Sequence, residues 1–416
     1  MTRHAWLKFA IGLLAFTVYG GLAAAWAQAP VMPAADAVRA KADRSFMPMR
    51  WDHESGVPLP VFDAAASSVD DWIVLTGGFD ANYRTTGAIQ VRHPSRGWLP
   101  VGASLWRPRA RHIQLTLADG RVMVVGGIEG SLREETTTPL ASLELFHPYD
   151  ARPQFIPLDE PLVGHSVTAL PDGRVAIAGG TAVRVFDPRF DAVVAWIPLH
   201  EFRQGHSAVL VEADTVSANG GAELVIMGGD RHGSIESVWI DQARAELWPF
   251  CFEAPRRDGA AVVVGPDLIW YTGGYDPVSG ESVNDCLVVD LATRDLQTTT
   301  PFDFENGVAG HRLERSADGR RWHIFGGESR GNGRVRSAPT GRLIDYETGR
   351  VWTTPTPPGE FTRRAWLTWN GRPAAIGGYR FVDAKTAAAQ GIRAGASIGD
   401  TLSWVGGLPL GVMVED

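Results

Sequence analysis

Apolar and polar positions along this chain fall into short runs, and the runs recur with a long period. Seven strand-like apolar runs each end in a Gly-Gly pair. They are Trp72–Thr76 before Gly77-Gly78, Val122–Val125 before Gly126-Gly127, and Val175–Ala178 before Gly179-Gly180. Then come Leu224–Met227 before Gly228-Gly229, Leu268–Thr272 before Gly273-Gly274, Trp322–Phe325 before Gly326-Gly327, and Pro373–Ile376 before Gly377-Gly378. The first glycines are 49, 53, 49, 45, 53 and 51 residues apart. Apolar alternation over four to six residues predicts strands, and a fixed period near 50 predicts an array of like units.

Each period carries four strand signals in one order. A first apolar run, such as His165–Leu170, leads into a tight polar turn: Asp119-Gly120-Arg121, Asp172-Gly173-Arg174, Asp318-Gly319-Arg320 or Asn370-Gly371-Arg372. Asp-Gly and Asn-Gly accept positive φ and so close two-residue hairpins. The run ending in Gly-Gly comes next. A loop of variable length then leads to a third strand, as at Val185-Phe186-Asp187, Trp239-Ile240-Asp241 and Leu343-Ile344-Asp345. The fourth strand carries a tryptophan at Trp98, Trp196, Trp248 and Trp352, with Phe155 and Leu296 in that place elsewhere. A large aromatic there is expected to supply apolar area between neighbouring units.

This pattern resembles the kelch-repeat family, from Val57 onward. The resemblance implies an all-β, seven-bladed β-propeller with four antiparallel strands per blade, set radially round an axis. The last unit is the least regular, because an Ala- and Gly-rich stretch from Tyr379 to Asp400 precedes Thr401–Val405. Two segments compete to complete it. Leu410–Val414 is slightly favoured over Phe46–Trp51 from the other end of the chain.

The beginning of the chain has a different character. Arg3 and Lys8 precede an uncharged apolar run, Phe9–Ala25, and Ala25-Trp26-Ala27 offers a small-x-small exit before Gln28. That order predicts a cleaved signal peptide over 1–27 in preference to a membrane anchor. A flexible lead-in over 28–44 and a propeller over 45–416 follow. The expected destination is the periplasm or the extracellular space, with no membrane span after cleavage. Losing Arg3 and Lys8, and no acid, moves the formal charge from −8 to −10. An acidic chain lacks the basic stripe that nucleic acid requires, so nucleic acid is excluded as a partner.

In such a blade, the loops between second and third strands share a face with the connections between blades. Long loops on a rigid scaffold tend to carry binding residues. The approaches to the first strands hold Arg109, Arg111, His112, His165, Arg203, His206, Arg256, Arg257, His311, Arg363 and Arg364. Guanidinium pairs bidentately with oxyanions, so this set suits a carboxylate, sulfate or phosphate group. Hydrogen bonding to adjacent loops is the competing use for the same side chains. The acids after Gly-Gly, namely Asp80, Glu129, Asp230, Asp276 and Glu328, are expected to neutralise the arginines. Histidines on separate blades stand too far apart to share one ion, so no metal and no cofactor are expected.

Kelch propellers include copper-radical oxidases resembling galactose oxidase, which need a cysteine cross-linked to a tyrosine, a second tyrosine and two histidines. Arginine or glycine precedes His112, His165, His206 and His311, never tyrosine. That departure removes the radical cofactor. Two classes remain. One is an exported binding module recognising a glycan or protein ligand, with an anionic one best suited. The other is a periplasmic small-molecule enzyme, like the kelch mutarotases that act on sialic acids. The two cysteines, Cys251 and Cys286, are expected to form a disulfide, since both lie in connections on one face and the destination is oxidising.

Overall fold

The computed structural model describes residues 50–406, apart from 149, 151, 212–221, 266, 300–306, 316–320, 332–333, 339–340, 346–350, 360, 383 and 391–394. The leader and lead-in, the Asp318-Gly319-Arg320 turn and Leu410–Val414 lie outside the described residues. Seven antiparallel sheets form a ring, a seven-bladed β-propeller. The inner strands are Ala65–Val69, Ile113–Thr116, Ser166–Ala169, Ser207–Val211, Ala260–Val263, Ala309–Arg315 and Ala365–Trp369. They define blades one to seven in chain order. Two small ribbons add to the loops: Ile128–Glu129 with Thr138–Pro139, and Tyr379–Val382 with Gly395–Ile398.

Second strands are buried on both faces, which is why they read as unbroken apolar runs rather than as alternating ones. Successive side chains point to opposite neighbours. Met123 and Val125 pack with Val175, Ile177 and Phe186 of blade three. Val122 and Val124 pack with Val74 and Ile89 of blade one. The core is therefore a circle of wedges between blades rather than one central mass.

Blade three departs from the others. One 13-residue strand, Val175–Asp187, supplies its second and third strands, pairing first with Ser166–Ala169 and then with Ala192–Arg203. Its Gly179-Gly180 pair leaves no room for a loop. The outer-strand tryptophans also divide. Trp248 and Trp352 are buried, whereas Trp196 is 49 % exposed and Phe155 is 44 % exposed. The expectation that every such aromatic fills the space between blades fails for those two. The Trp196 indole N–H instead reaches out to Asp159, at 3.0 Å.

The ring is closed from the N-terminal side. Trp51–Ser55 pairs antiparallel with Thr401–Val405, from Trp51↔Val405 to Ser55↔Thr401, as the outer strand of blade seven. This overturns the preference for Leu410–Val414. Trp51 packs edge-on to Phe325 and Trp366, and its indole N–H donates to the Pro355 carbonyl at 2.9 Å. Glu54 then accepts two bonds from Arg92 of blade one, at 3.0 and 2.6 Å. One five-residue segment thus ties blades six, seven and one.

The expected disulfide is not made. Cys251 is exposed at the end of blade four's outer strand, Arg244–Cys251. Cys286 opens the third strand of blade five and is buried with Val288, Trp270, Trp322 and Ile324, on the side facing blade six. Its neighbours Leu287 and Val289 are the ones that face blade four. Strand alternation turns the Cys286 thiol away from Cys251.

Candidate functional site at the axial mouth

The arginines sort by their position before the inner strand. Arg109, Arg203 and Arg256 share one phase, and each spends its guanidinium inside its own blade. Arg109 donates to the Gly126 carbonyl at 3.0 Å and pairs with Glu144 at 2.5 Å, both side chains fully buried. Arg203 donates to the Gly228 and Ser234 carbonyls, each at 2.9 Å, and to Glu236 at 3.0 Å. Arg256 grips Asp285 bidentately. In blade three the polarity reverses: Arg184 on the third strand holds Asp159 and Glu160 from the connection. Arg364, in the histidine phase before blade seven's inner strand, donates to the carbonyls of Phe361, Pro357 and Pro358. Burial pulls its pKa down to about 10. These four sequence candidates, Arg109, Arg203, Arg256 and Arg364, hold the fold and do not face a ligand.

The histidines are structural as well. Each sits in a slot between blades; glycines of both blades line His112, His165 and His311, and Gly229 of its own blade lines His206. A side chain at Gly77 would meet His112 Cε1 at 2.7 Å, and one at Gly229 would meet His206 Cβ at 2.6 Å. That is why Gly-Gly and histidine recur together. His112 Nε2 bonds Thr76 Oγ1 at 2.9 Å, His311 Nε2 bonds Thr272 Oγ1 at 2.6 Å, and His206 Nε2 bonds Ser166 Oγ at 2.9 Å. His165 lies against the Val125 backbone. Burial keeps all four neutral, lowering His165 and His206 to about 3, His311 to about 4, and His112 well below the ordinary imidazole value.

One residue before each histidine position, a second ring forms. Asp63, Arg111, Gly164, Gly205, Asp258, Gly310 and Arg363 occur once per blade, all with φ between 53° and 72°. Backbone N–H groups link them round the axis: Arg111 to Asp63 O at 2.8 Å, Asp63 to Arg363 O at 3.0 Å, Gly205 to Gly164 O at 2.7 Å, Asp258 to Gly205 O at 2.7 Å, and Gly310 to Asp258 O at 2.6 Å. The four side chains and three gaps of this ring form the mouth on the loop face.

Charges gather there in one linked series. Asp63 accepts from Arg111 at 2.9 Å and from Arg363 at 3.4 Å. Arg363 also approaches Glu328 at 3.7 Å, and Arg330 pairs with Glu328 at 3.1 Å, approaches Asp258 at 3.8 Å, and lies over the Tyr275 ring at 4.1 Å. Arg257 is pinned by its backbone to Tyr275 and makes no ion pair among the described residues. Several polar atoms here are buried without a partner: Arg257 Nε, Arg330 Nε and Glu328 Oε2. Burial raises the Asp258 carboxyl, and Glu328 pushes the same way against Arg330, Arg257 and Arg111. Beside the Asp63 group, Tyr83 and Tyr379 meet edge to face, and burial with the Tyr83 contact raises Tyr379 to about 12.

Of the sequence candidates, then, Arg111, Arg257 and Arg363 reach the mouth. The sequence reading missed Arg330, Asp63, Asp258, Tyr83, Tyr275 and Tyr379 as site residues. Tyr275 and Tyr379 directly follow Gly-Gly, which is the signal that marks them. The loop acids also divide: Glu328 serves the mouth and Glu129 pairs with Arg107. Asp80, Asp230 and Asp276 accept backbone N–H groups of their own turns, with Asp230 also 3.6 Å from Arg203.

Copper is the metal that the resemblance to the copper-radical oxidases raises. The histidines that would bind it are separated into slots between blades, with three of them committed to neighbouring hydroxyls. Among the described residues no three His, Cys, Asp or Glu side chains gather to hold a metal ion. Among the described residues this donor set does not fit copper. Neither a family model nor a curated protein matches the chain. It is similar in structure to a fungal alcohol oxidase of the AA5 family solved in complex with copper, at 14 % identity and a TM-score of 0.60. The match covers 86 % of this chain and 76 % of the oxidase, a likeness of fold alone.

Proposed function

We propose that this chain is an exported, kelch-type binding module that holds an acidic glycan at its axial mouth. One observation carries the reading: Arg257, Arg330 and Glu328 keep buried polar atoms that no described residue satisfies, gathered round Asp258. Buried polar groups want partners, and a sugar's hydroxyls both donate to carboxylates and accept from guanidinium. Arg111, Arg257, Arg330 and Arg363 stand against Asp63, Asp258 and Glu328, so one carboxylate on the ligand balances the set. Tyr275 offers an aromatic face beside them. The leader-like segment 1–27 supports the export half of the reading.

Gly310 provides the test. A Cβ there meets nothing within 4 Å, and Arg111 and Arg363 already carry long side chains at the equivalent position with a similar φ. Gly310→Trp should therefore fold, at a strain of about 1–2 kcal/mol, and block the mouth. Calorimetric titration with galacturonic, glucuronic, mannuronic and sialic acids should show binding to the mature chain and none to this variant. Equal binding by both would place the ligand elsewhere.

A second reading has its own observation. Asp258 and Glu328 share Arg330, and Asp258 holds its proton more firmly than an ordinary aspartate, the arrangement of an acid–base pair. A small-molecule isomerase acting on a sugar acid would use it. Anomeric-exchange NMR on the same acids decides: acceleration that Asp258→Asn abolishes favours the enzyme, and unchanged exchange with retained binding favours the module.

A further inference from the structure

The mouth is not evenly walled. Loops 77–87 and 126–141 of blades one and two rise together, stitched by Thr85 N–H to Gly130 O and Leu132 N–H to Tyr83 O, both 2.9 Å. Blades five and six are stitched likewise, Ser282 N–H to Arg330 O at 2.9 Å. Blade seven adds its ribbon and the helix Ala384–Gln390. Blades three and four have almost no wall. Blade three runs straight through Gly179-Gly180, and blade four connects its strands by 228–233 alone. The ring residues on this side, Gly164 and Gly205, carry no side chains either.

At the rim of this low side stand two exposed aromatics. Phe202 is the penultimate residue of blade three's outer strand, Ala192–Arg203, and is 56 % exposed. Phe250 is the penultimate residue of blade four's outer strand and is 47 % exposed. Both strands end on the loop face, because each leads into a mouth residue, Gly205 or Asp258. The two strands also lie against each other. Exposed phenylalanines in this place are poor for solubility and suit the apolar face of a sugar ring.

We propose that the ligand is an oligosaccharide chain whose acidic end unit fills the mouth and whose next units leave over blades three and four to stack on Phe202 and Phe250. This rests on the mouth being a glycan site. A walled recess with one low side, where two exposed phenylalanines stand near the ends of neighbouring outer strands, fits a chain end. A free monosaccharide would leave the phenylalanines unused, and an internal segment would need two openings.

The test compares monomers with oligomers of two to six units, prepared from polygalacturonate and alginate, on the mature chain and on the double variant Phe202→Ala, Phe250→Ala. Affinity should rise about tenfold or more from monomer to tetramer. The double variant should lose that gain while keeping the monomer affinity and the melting temperature. Length-independent binding, or a gain that survives the double variant, overturns the proposal while the mouth reading stands. Oligomer binding that Gly310→Trp leaves intact removes the mouth reading, and this proposal with it. A full panel without binding removes both.

Discussion

A single step in phase decides what each arginine does. In the chain Arg203-Gln204-Gly205-His206, the arginine is carried inward to Glu236 and two carbonyls, whereas Arg257, one residue later in its own blade's phase, stays at the mouth. Arg203→Ala strands Glu236 as a buried charge and is expected to destabilise the chain by roughly 3–5 kcal/mol. Arg257→Ala should leave the melting curve nearly unchanged. Thermal unfolding of the two variants side by side checks this, and equal effects would contradict it. The sequence displays all these arginines but not their partners, since Glu144 and Glu236 sit on third strands far along the chain and Asp285 directly precedes one. The histidines carry a pH signature of their own. Folded, His165, His206 and His311 stay neutral down to about 3 to 4, while unfolded imidazoles take up protons near 6.5. The unfolded chain then binds more protons, so stability is full above about pH 6.5 and falls as the pH drops toward 4. Each histidine contributes about 1.4 kcal/mol per pH unit to that slope. A Tm flat from pH 7 to 4 would show that the slots admit charge.

Strands and turns were legible because their signals are local. The run before each Gly-Gly and the turns at 119–121, 172–174 and 370–372 reappear in the ring, and the four-strand order reappears outside blade three. Which side of a strand faces which neighbour was not legible, and the errors follow from that. Cys251 ends one strand and Cys286 opens another on the same face, yet alternation along Cys286–Asp290 sends the second thiol toward blade six. Trp196 stands where Trp248 is buried, but the fused strand of blade three leaves it at the surface. Iodoacetamide should therefore label Cys251 in the folded protein and both cysteines after unfolding. Two thiols that resist labelling until a reductant is added would restore the bridge.

At the scale of the molecule, the ring depends on one segment from the far end of the sequence. Trp51–Ser55 completes blade seven, anchors on Pro355 and reaches Arg92 of blade one. Seven units read from the period give the blade count, but a period does not say which terminus closes the circle. Removing residues up to 56 from the mature chain should lower Tm by about 10 °C or more, and a chain trimmed only to residue 45 should melt as before. An unchanged Tm on the longer deletion would mean that another strand takes the place. The closed ring in turn fixes the mouth, where the unspent charges of blades five and six converge. Titration of the mature chain and of Arg257→Ala, Arg330→Ala with the best-binding uronic oligomer, at about 50 mM and about 500 mM salt, reads those charges directly. Affinity should fall with salt in the parent chain and be lost in the variant while its Tm holds; binding that survives both would contradict a mouth built for an acidic glycan.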